Sequence, residues 1–356
     1  MPDPPSPAAS PAAERPSSGR SESFRAPDPA PRAVWQRELA EAVRDPAELC
    51  LALGLDEDVA AEARGAAGGF PLLVPRPFLS RMRRGDRRDP LLLQVLPLAA
   101  EREPRSGWVA DPLRESEALA APALVQKYAG RALLLATGAC AVHCRYCFRR
   151  DFPYAEHGVG RAGIDAALEV IAADASLEEV ILSGGDPLLL DDERLADLTG
   201  RLAAIPSVRR VRIHTRLPVV LPSRVTAELV ALLAGLPVPP VVVIHANHPA
   251  EIDADVAAAL RTLAASRALL LNQAVLLAGV NDAPDALAGL SRRLLDCGVL
   301  PYYLHLPDRV AGTAHFDVPE EEALRLHAGL RDTLPGYAVP RLVREVPGET
   351  AKVTIA

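Results

Sequence analysis

The stretch "CAVHCRYCFRR", from Cys140 to Arg150, decides how the chain is interpreted, because it places three of the five cysteines within eight residues. The three are Cys140, Cys144 and Cys147, at C-x3-C-x2-C spacing. Three thiolates at this spacing can ligate three irons of a [4Fe-4S] cluster and leave the fourth iron open to a substrate or cofactor. The incomplete ligand set is therefore typical of a cluster that takes part in chemistry.

A structural zinc site is the alternative interpretation of the same cysteines, with His143 or His157 as the fourth ligand. His143 directly precedes Cys144, and adjacent residues are awkward partners in one tetrahedron. Structural zinc sites also usually present their ligands as two pairs, which this stretch does not do. The spacing favours the iron-sulfur cluster and leaves zinc as the alternative.

Short β-branched runs alternate with longer amphipathic runs from Arg131 onward, and this alternation predicts six βα units. The apolar runs are "RALLLAT", "VILSGG", "VRRVRIHTR", "PPVVVIHANH", "ALLLNQAVLL" and "VLPYYLHL". Six such units without a dinucleotide-binding fingerprint favour an α/β fold with a partial (β/α)6 barrel of parallel strands. Polar residues gather where the runs end, as in Gly184-Gly185-Asp186, and in a parallel barrel these ends form the mouth of the active site.

The rest of the chain is predicted to flank this barrel. Residues 1–33 are rich in Pro, Ala and Ser, and we expect a disordered tail because they bury too little surface to offset their ordering entropy. Residues 34–125 are predicted to form a mainly helical N-terminal region. The barrel core is expected to span residues 126–318, followed by a C-terminal segment over residues 319–356.

The composition excludes several classes of protein. A formal net charge of −7 argues against a non-specific nucleic-acid binder. No apolar run approaches the roughly 20 residues that a membrane-spanning helix needs. Cys50 and Cys297 stand alone in the sequence, so the cysteines do not resemble a disulfide framework. We therefore expect a cytoplasmic protein that binds neither nucleic acid nor membrane.

The cysteine motif and its flanks resemble the lysine 2,3-aminomutase family of radical S-adenosylmethionine (SAM) enzymes. The stretches that carry this resemblance are "KYAGRALLLATGACAVHCRYCFRRDFPYAE", "IHTRLPVVLPSRVT", "HANHPAEI", "LLNQAVLLAGVND" and "PYYLHLPDRVAGTAHF". The resemblance implies a radical SAM barrel, a [4Fe-4S] cluster held by the three cysteines, and SAM bound at the open iron. The residues that it places in the SAM region are Tyr146, Gly184, Gly185, Asp186 and Gln273.

The same resemblance implies a second cofactor, pyridoxal 5′-phosphate (PLP), held as a Schiff base by Lys352 in the C-terminal segment. The chain has only two lysines, Lys127 and Lys352. A chain that otherwise uses arginine has a reason to keep lysine where a primary amine must condense with an aldehyde. Lys127, Tyr128 and Arg131 match the family's binders of the PLP phosphate, and cationic groups suit a phosphate dianion.

A lysine substrate is also implied by the resemblance. Arg149 matches the arginine that binds the substrate carboxylate with its planar fork, and Asp308 and Glu345 match the acidic pair that receives the side-chain ammonium. The long aminomutases have aspartate in place of Glu345 and a run of glycines in place of "PGETAK". These departures, and a chain that stops soon after Lys352, favour the short branch of the family.

The expected activity is that of an isomerase that converts L-lysine to (R)-β-lysine, which the short branch supplies for post-translational modification of elongation factor P. The resemblance implies free L-lysine as substrate, an electron donor such as flavodoxin or ferredoxin, and a functional link to an elongation factor P lysyl ligase. It leaves a homo-oligomer open. The alternatives are a free-standing metabolic 2,3-aminomutase for lysine or another amino acid and, more distantly, a non-catalytic metal-binding RNA module.

Overall fold

The computed structural model of the protein describes residues 1–2 and 33–356. The tail predicted to be disordered therefore lies almost entirely outside the described residues. Four short helices come first in the chain from residue 33 onward: α1 (Val34–Ala40), α2 (Pro46–Leu53), α3 (Glu57–Ala66) and α4 (Arg76–Leu79). Several 3-10 turns and irregular segments, rather than further α-helix, connect α4 to the sheet.

Helix α2 shows how local sequence sets these helices. The Asp45 side chain accepts a hydrogen bond from the backbone N–H of Ala47 and so caps the first turn. Pro46 occupies the first helical position, where an N–H would have no partner within the helix. Gly54 ends the helix in the left-handed region, at φ 66°, which suits a residue without a side chain.

One sheet of ten strands, hydrogen-bonded in chain order, forms the body of the protein. Its strands are β1 (Leu119–Ala121), β2 (Leu124–Tyr128), β3 (Arg131–Thr137), β4 (Glu179–Gly184), β5 (Arg210–Thr215), β6 (Pro240–Ile244), β7 (Leu269–Val275), β8 (Leu300–His305), β9 (Arg341–Arg344) and β10 (Val353–Thr354). Strands β3 to β9 pair in parallel. Strands β1, β2 and β10 add antiparallel pairings at the two ends.

Crossover helices join most of the parallel strands. They are α5 (Arg161–Ala173), α6 (Asp192–Ala203), α7 (Leu217–Val220), α8 (Ala227–Ala234), α9 (Ala254–Ala264), α10 (Pro284–Asp296) and α11 (Glu320–Thr333). Three of them begin at a residue whose side-chain oxygen accepts from a first-turn N–H: Asp191, Thr226 and Asp253. Each of the longer helices buries one apolar stripe, such as Leu195, Leu198 and Leu202 of α6.

The predicted α/β fold with a partial parallel barrel is confirmed, and the six apolar runs correspond to strands β3 to β8. Each of these six strands is followed by a helix, as predicted, and β9 then adds a seventh parallel strand that the sequence analysis did not include. Strand β9 reads "RLVR", four residues with an arginine at each end, and so lacks the long apolar run of the other strands. The antiparallel strands were missed as well, because β1 and β10 are short and β2, which reads "LVQKY", ends in polar residues.

Most buried apolar side chains form one continuous core that runs from Trp35 in α1 to Leu342 in β9, and Leu277, Val280 and Phe316 form a small second cluster. The N-terminal helices therefore pack on the barrel rather than standing apart from it. Because β3 to β8 are parallel, their carboxyl ends meet at one edge, where polar side chains can converge. Among the described residues, no helix is long and apolar enough to cross a membrane.

Candidate active site

A cavity of about 260 Å³ opens inside the sheet and at the carboxyl ends of its parallel strands. Every residue that the sequence singled out for the site lines this cavity. They are Lys127, Tyr128, Arg131, Cys140, Cys144, Tyr146, Cys147, Arg149, Gly184, Gly185, Asp186, Gln273, Asp308, Glu345 and Lys352. Residues spread over more than half of the chain thus meet at one place, because the strand order brings their elements together.

The three cysteines lie on a loop that follows β3, and residues from the N-terminal region fix this loop. The fully buried Arg145 donates to Glu101 Oε1 at 2.8 Å and to the carbonyl oxygen of Phe70 at 2.7 Å. The backbone N–H of Arg145 also donates to the carbonyl oxygen of Gln94 at 2.8 Å. The helical region therefore acts as the support on which the cysteine loop takes its shape.

The ionisation of these thiols shows that they suit a positively charged partner. Burial, and then the negative charge of Cys144, raise the pKa of Cys147 to about 12. The pKa of Cys140 is also raised, by burial and by Cys147. Thiols that resist ionisation together become thiolate ligands when metal ions supply compensating charge. The donor set therefore fits an iron-sulfur cluster.

The two histidines considered as zinc ligands are engaged elsewhere. His143 Nδ1 lies 2.8 Å from the carbonyl oxygen of Pro71, and its ring stacks on Phe70 at 5.0 Å between centroids. His157 Nε2 lies 3.2 Å from Ser116 Oγ. Within residues 33–356, no group of three or more His, Cys, Asp and Glu side chains is arranged around a single metal ion. The structure therefore supplies no histidine to complete a zinc tetrahedron at the cysteines.

Gly184 and Gly185 bring the end of β4 against the cysteine loop. The N–H of Gly185 donates to the carbonyl oxygen of Thr137 at 2.7 Å. A Cβ atom on Gly184, whose φ is 108°, would lie 2.4 Å from that same oxygen. A Cβ atom on Gly185 would lie 2.0 Å from the carbonyl oxygen of Ala139. Only glycine permits this approach, so the pair positions the residues that lead into Cys140.

Asp186 has a different set of contacts from the one expected of it. Its carboxylate accepts from Leu188 N at 3.1 Å, Thr215 Oγ1 at 2.7 Å, Arg216 N at 2.7 Å and Leu217 N at 3.1 Å. Burial raises the pKa of Asp186 to about 6 in spite of these hydrogen bonds. Its contacts are those of an anchor for the loop after β5, and a contact with the ammonium of SAM stays a prediction.

A series of linked ion pairs crosses the cavity from β2 to the segment between β9 and β10. Lys127 Nζ lies 3.0 Å from Glu115 Oε1 and 3.1 Å from Glu345 Oε1. Lys352 Nζ forms a close ion pair with the other oxygen of Glu345. Arg149 is paired with Glu115 through Nε and Nη2, while its Nη1 donates to Ser183 Oγ at 2.9 Å. The two lysines and Arg149 are therefore joined through two glutamates.

Asp308 and Glu345, the predicted acidic pair, differ in the pH at which they ionise. Burial alone would raise the pKa of Glu345, but Lys352 and Lys127 outweigh burial and lower it to about 2. Burial, and then the charge of Glu345, raise the pKa of Asp308 to about 7. Glu345 is therefore ionised throughout the physiological range. Asp308 changes charge near neutral pH and becomes a full anion only above it.

Two of the residues predicted to hold the phosphate of PLP, Tyr128 and Arg131, lie at the end of β3 opposite to the end that leads to the cysteine loop. Tyr128 ends β2, and Arg131 begins β3, whose far end leads to Cys140. The Arg131 guanidinium stacks on the Tyr128 ring, 4.6 Å from its centroid. Strand β3 spans seven residues, so roughly 20 Å separate the two ends. Arg131 therefore lies at the amino end of β3, and a role in binding the phosphate stays a prediction.

Sequence reasoning missed Glu115 and gave no role to three histidines that also line the cavity, His214, His245 and His305. Burial lowers the pKa of His245 and His305 to about 3, so both rings are neutral at physiological pH. Gln273 Nε2 lies 3.0 Å from His245 Nε2. The three histidines lie at or next to the ends of strands, and this position in the sequence could have indicated that they line the site. Glu115 lies in a 3-10 turn before β1 and carried no such signal.

A three-cysteine loop at the carboxyl edge of a partial parallel barrel defines the radical SAM class of enzymes, and the sequence model of the Radical SAM superfamily matches residues 134–280. The chain is 45% identical to the L-lysine 2,3-aminomutase of Escherichia coli (strain K12) over 325 residues, covering 91% of this chain and 95% of that protein. The L-lysine 2,3-aminomutase of Haemophilus influenzae is 46% identical, with 90% and 95% covered. That of Bacillus subtilis (strain 168) is 33% identical, with 90% and 68% covered. The chain belongs to the lysine 2,3-aminomutase family of isomerases.

Proposed function

We propose that the protein is a PLP-dependent radical SAM aminomutase that converts L-lysine to (R)-β-lysine. The observation that carries the proposal is that one cavity is lined both by the cysteine loop and by Lys352 with its ionic partners. The relatives named L-lysine 2,3-aminomutase support the choice of lysine. We further propose the division of the chain into residues 1–33, 34–125, 126–318 and 319–356, and a place in the cytoplasm.

Family membership implies a [4Fe-4S] cluster and SAM, and we assign Cys140, Cys144 and Cys147 as the cluster ligands. Bound there, a reduced cluster and SAM would supply radical chemistry able to activate an otherwise unreactive carbon. The chain's own part is to hold the loop and to exclude water from it. Tyr146 and Gln273 line the same cavity and are proposed to contact SAM.

The residues present also fit PLP. Lys352 supplies a primary amine to hold the aldehyde, and Lys127, Tyr128 and Arg131 supply cations and a hydroxyl for the phosphate. PLP, when bound, provides the conjugated ring through which an amino group can migrate between neighbouring carbons. Glu345 bonds both lysines, so it keeps the Lys352 amine turned into the cavity and compensates its positive charge.

Arg149 and the two acids define the substrate's orientation in the proposal. The Arg149 Nη1 group faces Ser183, outside its pair with Glu115, and can take one oxygen of the substrate carboxylate. Asp308 and Glu345 are proposed to receive the ε-ammonium. Fixing both charged ends holds the carbon chain between them, so that C3 faces the radical source.

The proposal extends to translation. We infer that the β-lysine product is used by a separate ligase to modify elongation factor P, because the chain's acidic pair and the segment "PGETAK" resemble the short branch. A flavodoxin or ferredoxin is the proposed electron donor. A free-standing metabolic aminomutase is the second candidate, and the branch resemblance is what favours the first.

Anaerobic turnover tests the proposed chemistry. The reconstituted protein with PLP is incubated with L-lysine, SAM and a reductant, and the amino acids are separated as chiral derivatives. We expect (R)-β-lysine, with none from the Cys147→Ala variant and undiminished amounts from Cys297→Ala. Product from alanine or glutamate but not from lysine would overturn the substrate assignment.

A deletion strain tests the cellular role. Intact-mass analysis of elongation factor P should show loss of the β-lysyl group when the gene is deleted and its return when β-lysine is supplied in the medium. Normal modification in the deletion strain would remove the link to translation and leave the metabolic aminomutase as the function.

A further inference from the structure

Arg216 lies just after β5, is buried, and contacts a cysteine of the loop. Its Nη1 group donates a hydrogen bond to the Cys144 sulfur. The backbone N–H of Arg216 donates to Asp186, which fixes where the side chain starts. The side chain therefore reaches the cysteine loop from a different strand of the barrel, at a position that sequence reasoning gave no role.

Two fully buried side chains hold the Arg216 guanidinium in place. Its Nη2 group donates to Gln94 Oε1 at 2.7 Å and to Glu251 Oε2 at 3.0 Å. Gln94 Nε2 in turn donates to Glu251 Oε1 at 3.1 Å. Arg216 Nε is buried and has no hydrogen-bond partner within residues 33–356, so one N–H is left over beside the loop. The cation is thus rigidly directed at Cys144.

The other arginines of the cysteine loop are committed elsewhere. Arg145 and Arg150 both pair with Glu101, and Arg149 pairs with Glu115. In the part of the chain from residue 33 onward, Arg216 is the cationic side chain that hydrogen-bonds a cysteine sulfur of this loop. Tyr146 also lines this part of the cavity, but its hydroxyl carries no charge, because burial raises its pKa well above the usual value. Arg216 therefore combines a hydrogen bond with a buried positive charge.

We propose that Arg216 sets the reduction potential of the iron-sulfur cluster through its hydrogen bond to Cys144. One-electron reduction adds a negative charge to the cluster, and a cation that bonds a ligand sulfur stabilises the reduced form more than the oxidised form. Arg216 therefore raises the potential and eases electron transfer from the donor. Glu251 carries the opposite charge 3.0 Å from the guanidinium and limits this effect.

The inference rests on the assignment of Cys144 as a cluster ligand and on no statement about PLP or lysine. The midpoint potential is measured by redox titration of the reconstituted protein, without SAM, with the reduced cluster followed by electron paramagnetic resonance. Arg216→Met and Arg216→Gln should both shift the potential to more negative values. The matched control is Arg224→Met, a fully buried arginine that bonds Leu188 O and Asp192 and no cysteine. Its potential should equal that of the wild type.

Glu251→Gln tests the direction in which a change of charge shifts the reduction potential. Removing the counter-charge leaves the Arg216 cation uncompensated, so this variant should shift the potential to more positive values, opposite to the Arg216 variants. An unchanged potential in Arg216→Met with full iron content would overturn the proposal. So would a shift in the same direction for both positions, because a charge effect must reverse its sign.

A spectroscopic measurement on unaltered protein covers the case in which Arg216→Met fails to hold the cluster. Protein labelled with ¹⁵N only in the guanidinium groups of arginine is reduced, and pulsed paramagnetic resonance should detect a ¹⁵N coupling to the cluster that Arg224→Met retains. Absence of that coupling in the wild type would overturn the hydrogen bond itself. A wild-type protein without any cluster would instead defeat the proposed function, so the two failures are distinguishable.

Discussion

Glu115 and Arg149 form a buried two-point ion pair, in which Arg149 Nη2 donates to Glu115 Oε1 at 3.0 Å and Arg149 Nε donates to the other oxygen. Lys127 shares the same carboxylate at 3.0 Å. The charges of Arg149 and Lys127 lower the pKa of Glu115 even though burial opposes this, so the group is an anion at all ordinary pH values. One carboxylate therefore orients the arginine proposed for the substrate and the lysine proposed for the phosphate.

Neutralising the Glu115 carboxylate should lower the free energy of unfolding. Glu115→Gln leaves the buried Arg149 and the half-buried Lys127 without their shared partner, and breaking a buried ion pair typically costs about 3–5 kcal/mol in the free energy of unfolding. Urea unfolding of the ligand-free protein at pH 7 measures the loss. Glu117→Gln, an exposed position in the same turn, is the control and should change stability by less than about 0.5 kcal/mol. Equal stabilities for the two variants would show that the Glu115 ion pairs do not stabilise the fold.

Iron content should depend on the loop cysteines alone. After anaerobic reconstitution we expect about four irons and four sulfides per chain, because three cysteines of this spacing support a cubane. Cys140→Ala, Cys144→Ala and Cys147→Ala should each lose the cluster, while Cys50→Ala and Cys297→Ala should keep it. Metal analysis and visible absorption provide the readout. Stoichiometric zinc without charge-transfer absorption would show that the cysteines form a zinc site rather than an iron-sulfur cluster site.

Borohydride reduction should fix PLP covalently on Lys352. The two lysines of the chain make the assignment simple, since peptide mass spectrometry has only Lys127 and Lys352 to distinguish. Only Lys352 is expected to carry the label, because Lys127 is held between Glu115 and Glu345. Lys352→Ala should lose both the label and aminomutase activity and retain the cluster. A label on Lys127 would reverse the roles of the two residues.

The pH dependence of lysine binding should follow Asp308. With a pKa of about 7, Asp308 is neutral at pH 6 and ionised at pH 8, and a cationic ligand favours the ionised form. KM for lysine should therefore fall by about tenfold as the pH rises from 6 to 8, as expected for a single ionisation. Asp308→Asn should weaken binding and abolish the pH dependence in this window. A variant with the wild-type profile would place the titrating group elsewhere.

The sequence was most informative where residue patterns are local and repeated. The runs that became β3 to β8 are rich in Val, Ile and Leu because parallel strands are covered on both faces, and that pattern is visible without a structure. Strand β9 escaped notice because "RLVR" places arginines at both of its ends. The partners of a four-residue strand are set by tertiary contacts rather than by its own sequence.

The sequence predicted which residues line the cavity but not which of them form hydrogen bonds and ion pairs with one another. Cys140 to Arg149 are close in sequence, and the resemblance extended that group to Asp308, Glu345 and Lys352. Which donor meets which acceptor depends on distances that no spacing encodes. The shared carboxylate of Glu115 and the contact of Arg216 with Cys144 both join segments far apart in the chain, and so they emerged only from the structure.

Lys127 on β2 and Glu345 after β9 belong to opposite ends of the ten-stranded sheet, and their ion pair joins those ends. The cysteine loop, by contrast, takes much of its support from residues that precede it, such as Glu101 and Phe70. Lys352 is therefore held by a contact that links the two ends of the sheet, whereas the cysteine loop is held by residues of the N-terminal region.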